Sequence, residues 1–146
     1  MRAVIQRVQR ASVEVEGVPV SSIGPGLLVF LGVERGDQEK DASYLAGKIS
    51  RLRVFEEPRG RMNESVLDTE GEVLAVSQFT LAADLRRGNR PSFEGAEAPA
   101  RAEHLYMFFM DELRQAGAKV KAGVFGADMK VSLVNDGPVT FVMDSR

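Results

Sequence analysis

The chain has 146 residues with no cysteine, 44 % hydrophobic and 27 % charged residues, a formal net charge of −2 and a pI near 5.5. That length fits one domain able to bury roughly two-thirds or more of its unfolded surface. The missing cysteines exclude disulfides, thiolate metal ligands and a cysteine nucleophile, and the slight acidity excludes nucleic-acid binding driven by bulk charge, so any RNA contact has to be local.

From the N terminus, MRAVIQRVQR threads charges through its apolar residues, which does not suit a signal-peptide core. No later apolar run approaches the roughly 18 residues of a membrane span, so a soluble, unprocessed, cytoplasmic protein is expected. Ala3, Ile5, Val8, Val13 and Val15 alternate with polar residues at a period near two, slipping once at Gln9–Arg10, which predicts strand, bulge, strand. Glu16–Gly17 marks a turn, Val18–Val20 a short return strand, and Gly24–Pro25–Gly26 a second turn. The unbroken apolar run Leu27–Val33 predicts a central strand covered on both faces. Asp37 is placed to cap a helix with its carboxylate, and Ala42, Leu45, Ala46, Ile49 and Leu52 recur at helical spacing, so a helix is expected from about Gln38 to about Leu52.

Val54–Phe55 leads into a turn at Glu57–Gly60, and a strand is expected from Val73 to about Gln78 after the polar segment Met62–Ser65. Ala82–Glu97 has no regular period and reads as a loop, long for so small a domain; loops of that length are more often functional than idle. Pro99 opens a second helix with Ala102, Leu105, Tyr106, Phe109, Met110 and Leu113 on one face and Gly117 as its stop. Lys130–Val134 and Val139–Met143 read as strands flanking Asn135-Asp136-Gly137-Pro138. The fold class is therefore a single α+β domain over residues 1–146, with a mostly antiparallel, barrel-like sheet and two main helices.

Elimination narrows the chemistry. His104 is the only imidazole and lies in a helix, without a serine or acid at a triad spacing, so it reads as a surface or helix-flank residue rather than a base. One histidine and no cysteine leave no zinc site, and the scattered acids form no magnesium pattern. Gly123-Val124-Phe125-Gly126 lacks the third glycine of a dinucleotide fingerprint. No metal and no cofactor are expected, which leaves hydroxyls, amides and the backbone. Two segments carry those groups. Ser77-Gln78-Phe79-Thr80-Leu81 ends an apolar strand in hydrogen-bonding side chains; its plain reading is a strand end with Phe79 in the core. In Asn135-Asp136-Gly137-Pro138-Val139-Thr140, Gly before Pro suits a strained or cis peptide and exposes backbone; its plain reading is a tight hairpin turn.

SQFTL and NDGPVT resemble the two signature motifs of the D-aminoacyl-tRNA deacylase (D-tyrosyl-tRNA deacylase) family. So do RAVIQRVQRASVEVEG, GLLVFLGV, KISRLRVFEEPRGRMNESV, GNRPSFEGAEAP and VFGADMKVSLVNDGPVT, in family order across the whole chain. Either motif alone is weakly specific; both in register are strong. The resemblance implies a tRNA-editing esterase that cleaves the ester between a D-amino acid and the terminal adenosine of tRNA. It implies a homodimer with active sites at the subunit interface, where Gly137-Pro138, as a Gly-cisPro motif, enters the partner's site and rejects L-amino acids with its backbone carbonyls. Glycine has no side chain to reject, so glycyl-tRNA, including glycine mischarged on tRNA-Ala, is an expected substrate.

By the same resemblance, Ser77, Gln78, Phe79 and Thr80 form the catalytic segment. Backbone N–H groups around Gln78–Thr80 are the expected oxyanion donors. No base stands near Thr80 in sequence, so it is weighed as positioner over nucleophile, and the family's use of the ribose 2′-hydroxyl accounts for so few catalytic side chains. Phe79, Phe125, Gly126, Ala127 and Met129 are expected to bind the terminal adenosine and the α-amino end, with plain core the alternative for Phe125 and Met129. Arg86, Arg87 and Arg90 are expected to meet tRNA phosphates, the alternative being a solvated face, and Arg7, Arg51 and Arg53 to pair internally or contact RNA. Two rival readings stay open: a dimeric β-rich module that binds RNA ends or another protein without hydrolysis, and a hydrolase of free D-amino-acid esters or peptides.

Overall fold

The alternation at the start of the chain forms one long strand, β1 (Arg2–Val15), in the computed structural model, which describes every residue except Arg87. The turn at Glu16–Gly17 has positive φ at both residues (50° and 79°), as a tight hairpin requires, and returns the chain as β2 (Val18–Ile23) along the second half of β1. β3 (Gly26–Gly32) pairs antiparallel with the first half of β1. Its side chains divide between two cores, as its unbroken apolar sequence predicts. Leu27, Val29 and Leu31 face α1 (Glu39–Ser50) and α2 (Pro99–Gln115), joining Leu45, Ile49, Leu105 and Phe109, whereas Leu28 packs with Val8, Val13, Ile23, Leu74 and Val76 inside the sheet's curl.

Beyond β3 the sheet continues in parallel through β6 (Glu72–Ser77) to β7 (Lys119–Ala122), giving the order β2-β1-β3-β6-β7. β7 then approaches β2: Ser21 Oγ donates to Ala122 O at 2.8 Å and Lys121 Nζ to Ser22 O at 2.6 Å, so the sheet nearly closes into a barrel. A short hairpin of β4 (Phe55–Glu56) and β5 (Met62–Glu64) stands apart from it. Gly26 makes the β3–β6 contact possible, since a Cβ there would lie 1.9 Å from Glu72 O.

β8 (Met129–Asp144) runs antiparallel along the whole of β1 with two breaks in register. Val8 opposes Asn135 and Arg10 opposes Val134, so Gln9 is the extra residue of the bulge expected there. Thr140 opposes Gln6, so the segment Asp136–Val139 stands against Arg7 alone and leaves the ladder. The hairpin reading of 135–138 is thereby corrected. Both halves of β8 travel the same way along β1, because the paired residues on either side hold one strand direction and the motif loops out of its middle.

Both expected helices form. All six residues expected on the inner face of α2 are buried, and Gly117 stops the chain at φ 99°. The Asp37 cap is corrected: Gln38 precedes α1, and its N–H is accepted by Asp41 Oδ2 at 2.9 Å. The Asp37 carboxylate is buried and occupied elsewhere, by the Met1 ammonium at 2.8 Å, the Glu34 N–H at 2.6 Å and Arg146 Nη2 at 2.8 Å. Among the described residues, no helix is long and apolar enough to cross a membrane.

Candidate active site

Because β3, β6 and β7 are parallel neighbours, their carboxyl ends lie side by side, and the segments that follow them enclose a cleft of about 480 Å³. Val33 follows β3; Ser77, Gln78 and Phe79 come from the end of β6; Phe125, Gly126, Ala127 and Asp128 come from the turn between β7 and β8, and Met129 opens β8. Two separate stretches of the predicted site thus meet in one place. Ala96, Glu97, Pro99, Ala102 and Val131 complete the wall. The sequence reading did not single these out; the start of α2 is the signal, since an apolar helix face that extends to its first turn has to cover something.

Close backbone approach shapes the Ser77–Leu81 segment. Gln78 N–H donates to Leu31 O at 2.8 Å, extending the β3–β6 ladder, and Phe79–Ala82 then form a single 3₁₀ turn. A Cβ on Gly32 would meet Leu81 Cβ at 2.8 Å, so only glycine lets this turn lie on β3. The Gln78 N–H is therefore used structurally, and the Phe79 and Thr80 N–H groups are the ones that open the turn, with no acceptor among the described residues. Gln78 Nε2 donates to Thr80 Oγ1 at 2.5 Å; Gln78 lines the cleft, whereas Thr80 is exposed beside it and does not. Phe79 is 56 % exposed rather than core.

Across the cleft, Gly123 N–H donates to Ala75 O at 3.0 Å, and a Cβ at Gly123 would lie 2.6 Å from Met129 Sδ. Gly126 has φ 74°, which turns the chain so that Ala127 N–H reaches Val124 O at 3.2 Å. Phe125 and Met129 face two ways. They line the cleft, yet Phe125 packs on the helix-facing core, 6.0 Å from the Tyr106 ring, and Met129 on the inner one.

Gly137 and Pro138 do not line this cleft. They are exposed in the loop opposite Arg7, with a cis peptide between them and φ 136° at Gly137. A Cβ at Gly137 would lie 2.6 Å from Val139 Cγ2 and 3.0 Å from Val139 N. The loop is clamped at its base: Asn135 Oδ1 accepts the Val139 N–H at 2.7 Å, and Asn135 Nδ2 donates to Thr140 Oγ1 at 3.1 Å. Arg7 is buried behind it, donating from Nε to Asp136 O at 3.1 Å and from Nη1 to Val54 O at 2.6 Å. Arg7 thus takes the internal alternative.

Arg86 is exposed and paired with Asp84 at 2.7 Å; the guanidinium and the Arg86 N–H hold the Asp84 carboxyl down at about 2. Arg90 is exposed, and Arg87 lies outside the described residues. Arg53 is exposed and donates from Nε to Asn63 O at 2.9 Å. His104 lies on the outer side of α2, its Nε2 3.1 Å from Glu39 Oε1, and Arg101 reaches the same carboxylate in a two-pronged contact at 2.8 and 3.0 Å. Among the described residues no three His, Cys, Asp or Glu side chains converge as metal ligands would.

Fold and cleft together define a small α+β, barrel-like domain with a cleft at the carboxyl ends of its parallel strands. The chain matches the family model for D-Tyr-tRNA(Tyr) deacylase over residues 4–144. A D-aminoacyl-tRNA deacylase of Paracoccus denitrificans (strain Pd 1222) is 59 % identical over 99 % of this chain and 97 % of that protein. One of Aquifex aeolicus (strain VF5) is 56 % identical over 100 % and 99 %. Among solved structures, the c-Myc DNA unwinding element binding protein superposes with a TM-score of 0.95 at 44 % identity, covering 100 % of this chain and 99 % of that one. The chain belongs to the D-Tyr-tRNA(Tyr) deacylase family.

Proposed function

We propose that this chain is a D-aminoacyl-tRNA deacylase that hydrolyses the ester of a D-amino acid on the terminal adenosine of tRNA and works as a homodimer. Family membership supports the reaction. The observation that carries the site is the cleft at the carboxyl ends of β3, β6 and β7, where the first signature segment, Ser77–Phe79, faces Phe125–Met129.

Water attacks the activated ester carbonyl; its oxygen joins the acyl carbon, the bond to the ribose oxygen breaks, and that oxygen leaves with a proton. The Phe79 and Thr80 N–H groups donate hydrogen bonds to the carbonyl oxygen as negative charge develops on it. Thr80 positions rather than attacks: its oxygen is occupied by the Gln78 amide and no base adjoins it. The ribose 2′-hydroxyl of the substrate takes part in the proton transfer. Phe125, Gly126, Ala127 and Met129 hold the adenosine and the α-amino end, and Arg90, with Arg86 and Arg87, meets phosphates further along the tRNA.

In one chain the Gly137-Pro138 loop lies outside this cleft, and the homodimer reading joins the two. The loop of one protomer enters the cleft of its partner and places backbone carbonyls where an L side chain would stand, leaving room for a D side chain or none. Glycyl-tRNA, including glycine on tRNA-Ala, is therefore cleaved as well.

The test is deacylation of D-tyrosyl-, L-tyrosyl- and glycyl-tRNA by the purified protein. Loss of the D-tyrosyl and glycyl esters with the L-ester intact is expected. Equal cleavage of D and L refutes the filter, and a gel shift of tRNA with every ester intact makes the protein a binding module.

A further inference from the structure

Two aromatic rings stand exposed at the rim of the cleft, and the reaction accounts for only one of them. Phe79 lines the cleft with one side and is 56 % exposed; Phe93, outside the cleft, is 40 % exposed. Their centroids are 5.0 Å apart and their planes inclined at 56°, so they form one continuous apolar step leading from the cleft to the surface. Phe93 is not on a loose end. Its carbonyl accepts the Ala96 N–H at 3.0 Å, the adjacent Ser92 exchanges two backbone hydrogen bonds with Asp84 at 2.8 and 3.1 Å, and Arg35 N–H donates to Gly95 O at 2.8 Å. A pinned loop that holds a large ring in water has forgone the burial that usually places phenylalanine in a core.

Proteins that track single-stranded nucleic acid combine such exposed rings, on which bases stack, with cations that meet the backbone. The same loop supplies the cations, Arg86 and Arg90; Arg86 is engaged by Asp84, whereas Arg90 makes no ion pair among the described residues. A net charge of −2 leaves the protein without a general attraction for RNA, so a local stack has more to contribute.

We propose that Phe93, with the outer side of Phe79, is a stacking platform for the nucleobase immediately 5′ of the terminal adenosine, making the protein a reader of two nucleotides rather than one. The inference rests on the reading of the cleft as the terminal adenosine's site. The ring adjoining an occupied cleft is where the next base of an unpaired 3′ end emerges. Stacking tolerates any base, and the unpaired CCA end is common to all tRNAs, so the contact gives affinity without limiting the enzyme to one tRNA. Phe93 is a positioning residue: it touches no reacting atom and sets where the 3′ end lies.

Two substrates separate this contact from the rest of the site: D-tyrosyl-tRNA, and D-tyrosyl-adenosine, which has nothing 5′ of the adenosine. Phe93→Ala is expected to raise KM for D-tyrosyl-tRNA roughly tenfold, the loss of one base–aromatic stack, with kcat retained and with both constants for D-tyrosyl-adenosine unchanged. Phe93→Tyr, which keeps a ring, restores KM. Uncharged tRNA carrying 2-aminopurine at the penultimate position is expected to be quenched by the unmodified protein and not by Phe93→Ala. Equal effects on both substrates, or on neither, overturn the proposal; the former would mean that Phe93 supports the cleft or a subunit contact. If the unmodified protein cleaves D-tyrosyl-tRNA and Phe93→Ala changes nothing, only the stack fails. If it cleaves neither substrate, the reading of the function fails and takes the stack with it.

Discussion

At Gly137 even a methyl group has nowhere to go: Val139 occupies its position at 2.6 Å, and φ 136° is a conformation that side chains rarely adopt. Gly137→Ala is therefore expected to lower stability by about 1–3 kcal/mol, read from a denaturant melt. A shift of about 1 Å at a reacting centre can cost on the order of 100-fold in rate, so single-turnover deacylation of D-tyrosyl-tRNA should fall by at least about tenfold. Unaltered deacylation with the expected loss of stability would separate the loop from the chemistry. Asn135 and Arg7 hold this loop from opposite sides, one through the Val139 N–H and the other through the Asp136 carbonyl, so its shape is set by side chains that need not touch substrate.

Helix α2 is fastened to β6 by Tyr106, whose hydroxyl donates to Ala75 O at 2.8 Å. Burial pushes this phenol from the ordinary 10 up to about 12. The unfolded chain gives up that proton from about pH 10 while the fold retains it, so this contribution is complete below pH 10 and is lost as pH rises towards 12. Tyr106→Phe should remove that part of the alkaline fall in melting temperature. At neutral pH it should cost only about 1 kcal/mol, since Ala75 O keeps the Gly123 N–H at 3.0 Å. The inward face of α2 was legible residue by residue because helical periodicity is a local signal. The bulge at Gln9 was legible for the same reason, as a slip in the alternation of β1. β7 escaped because four residues, Lys119–Ala122, carry too short an alternation to register. In sequence β8 reads as two strands because Gly-Pro normally ends one, and only the pairing with β1 carries it across the gap. Much of the site lay in the same blind spot: Ser77–Phe79 and Phe125–Met129 are neighbours because β6 and β7 are parallel, a fact of pairing and not of spacing. Resemblance, rather than pattern, named both segments.

For the whole molecule, the decisive question is whether one chain contains a complete site. A cleft variant, Gln78→Ala with Thr80→Val, and a loop variant, Gly137→Ala with Pro138→Ala, should each lose most of their selective deacylation of D-tyrosyl-tRNA alone. Unfolded together and refolded, they should recover roughly a quarter of the unmodified activity, because half of the dimers are mixed and one of the two sites in each is intact. A site completed within one chain would recover none. The loop at Asp136–Val139 has another consequence at this scale. Among the described residues β8 pairs with β1 alone, so its far side is an open border, and long open borders invite strands of other molecules to add on. The loop breaks that border near the middle of β8, and Pro138 contributes no N–H to it. A variant shortened until β8 ran flush along β1 is therefore expected to lose the proposed sorting of mirror-image amino acids and also to aggregate more readily, read by light scattering.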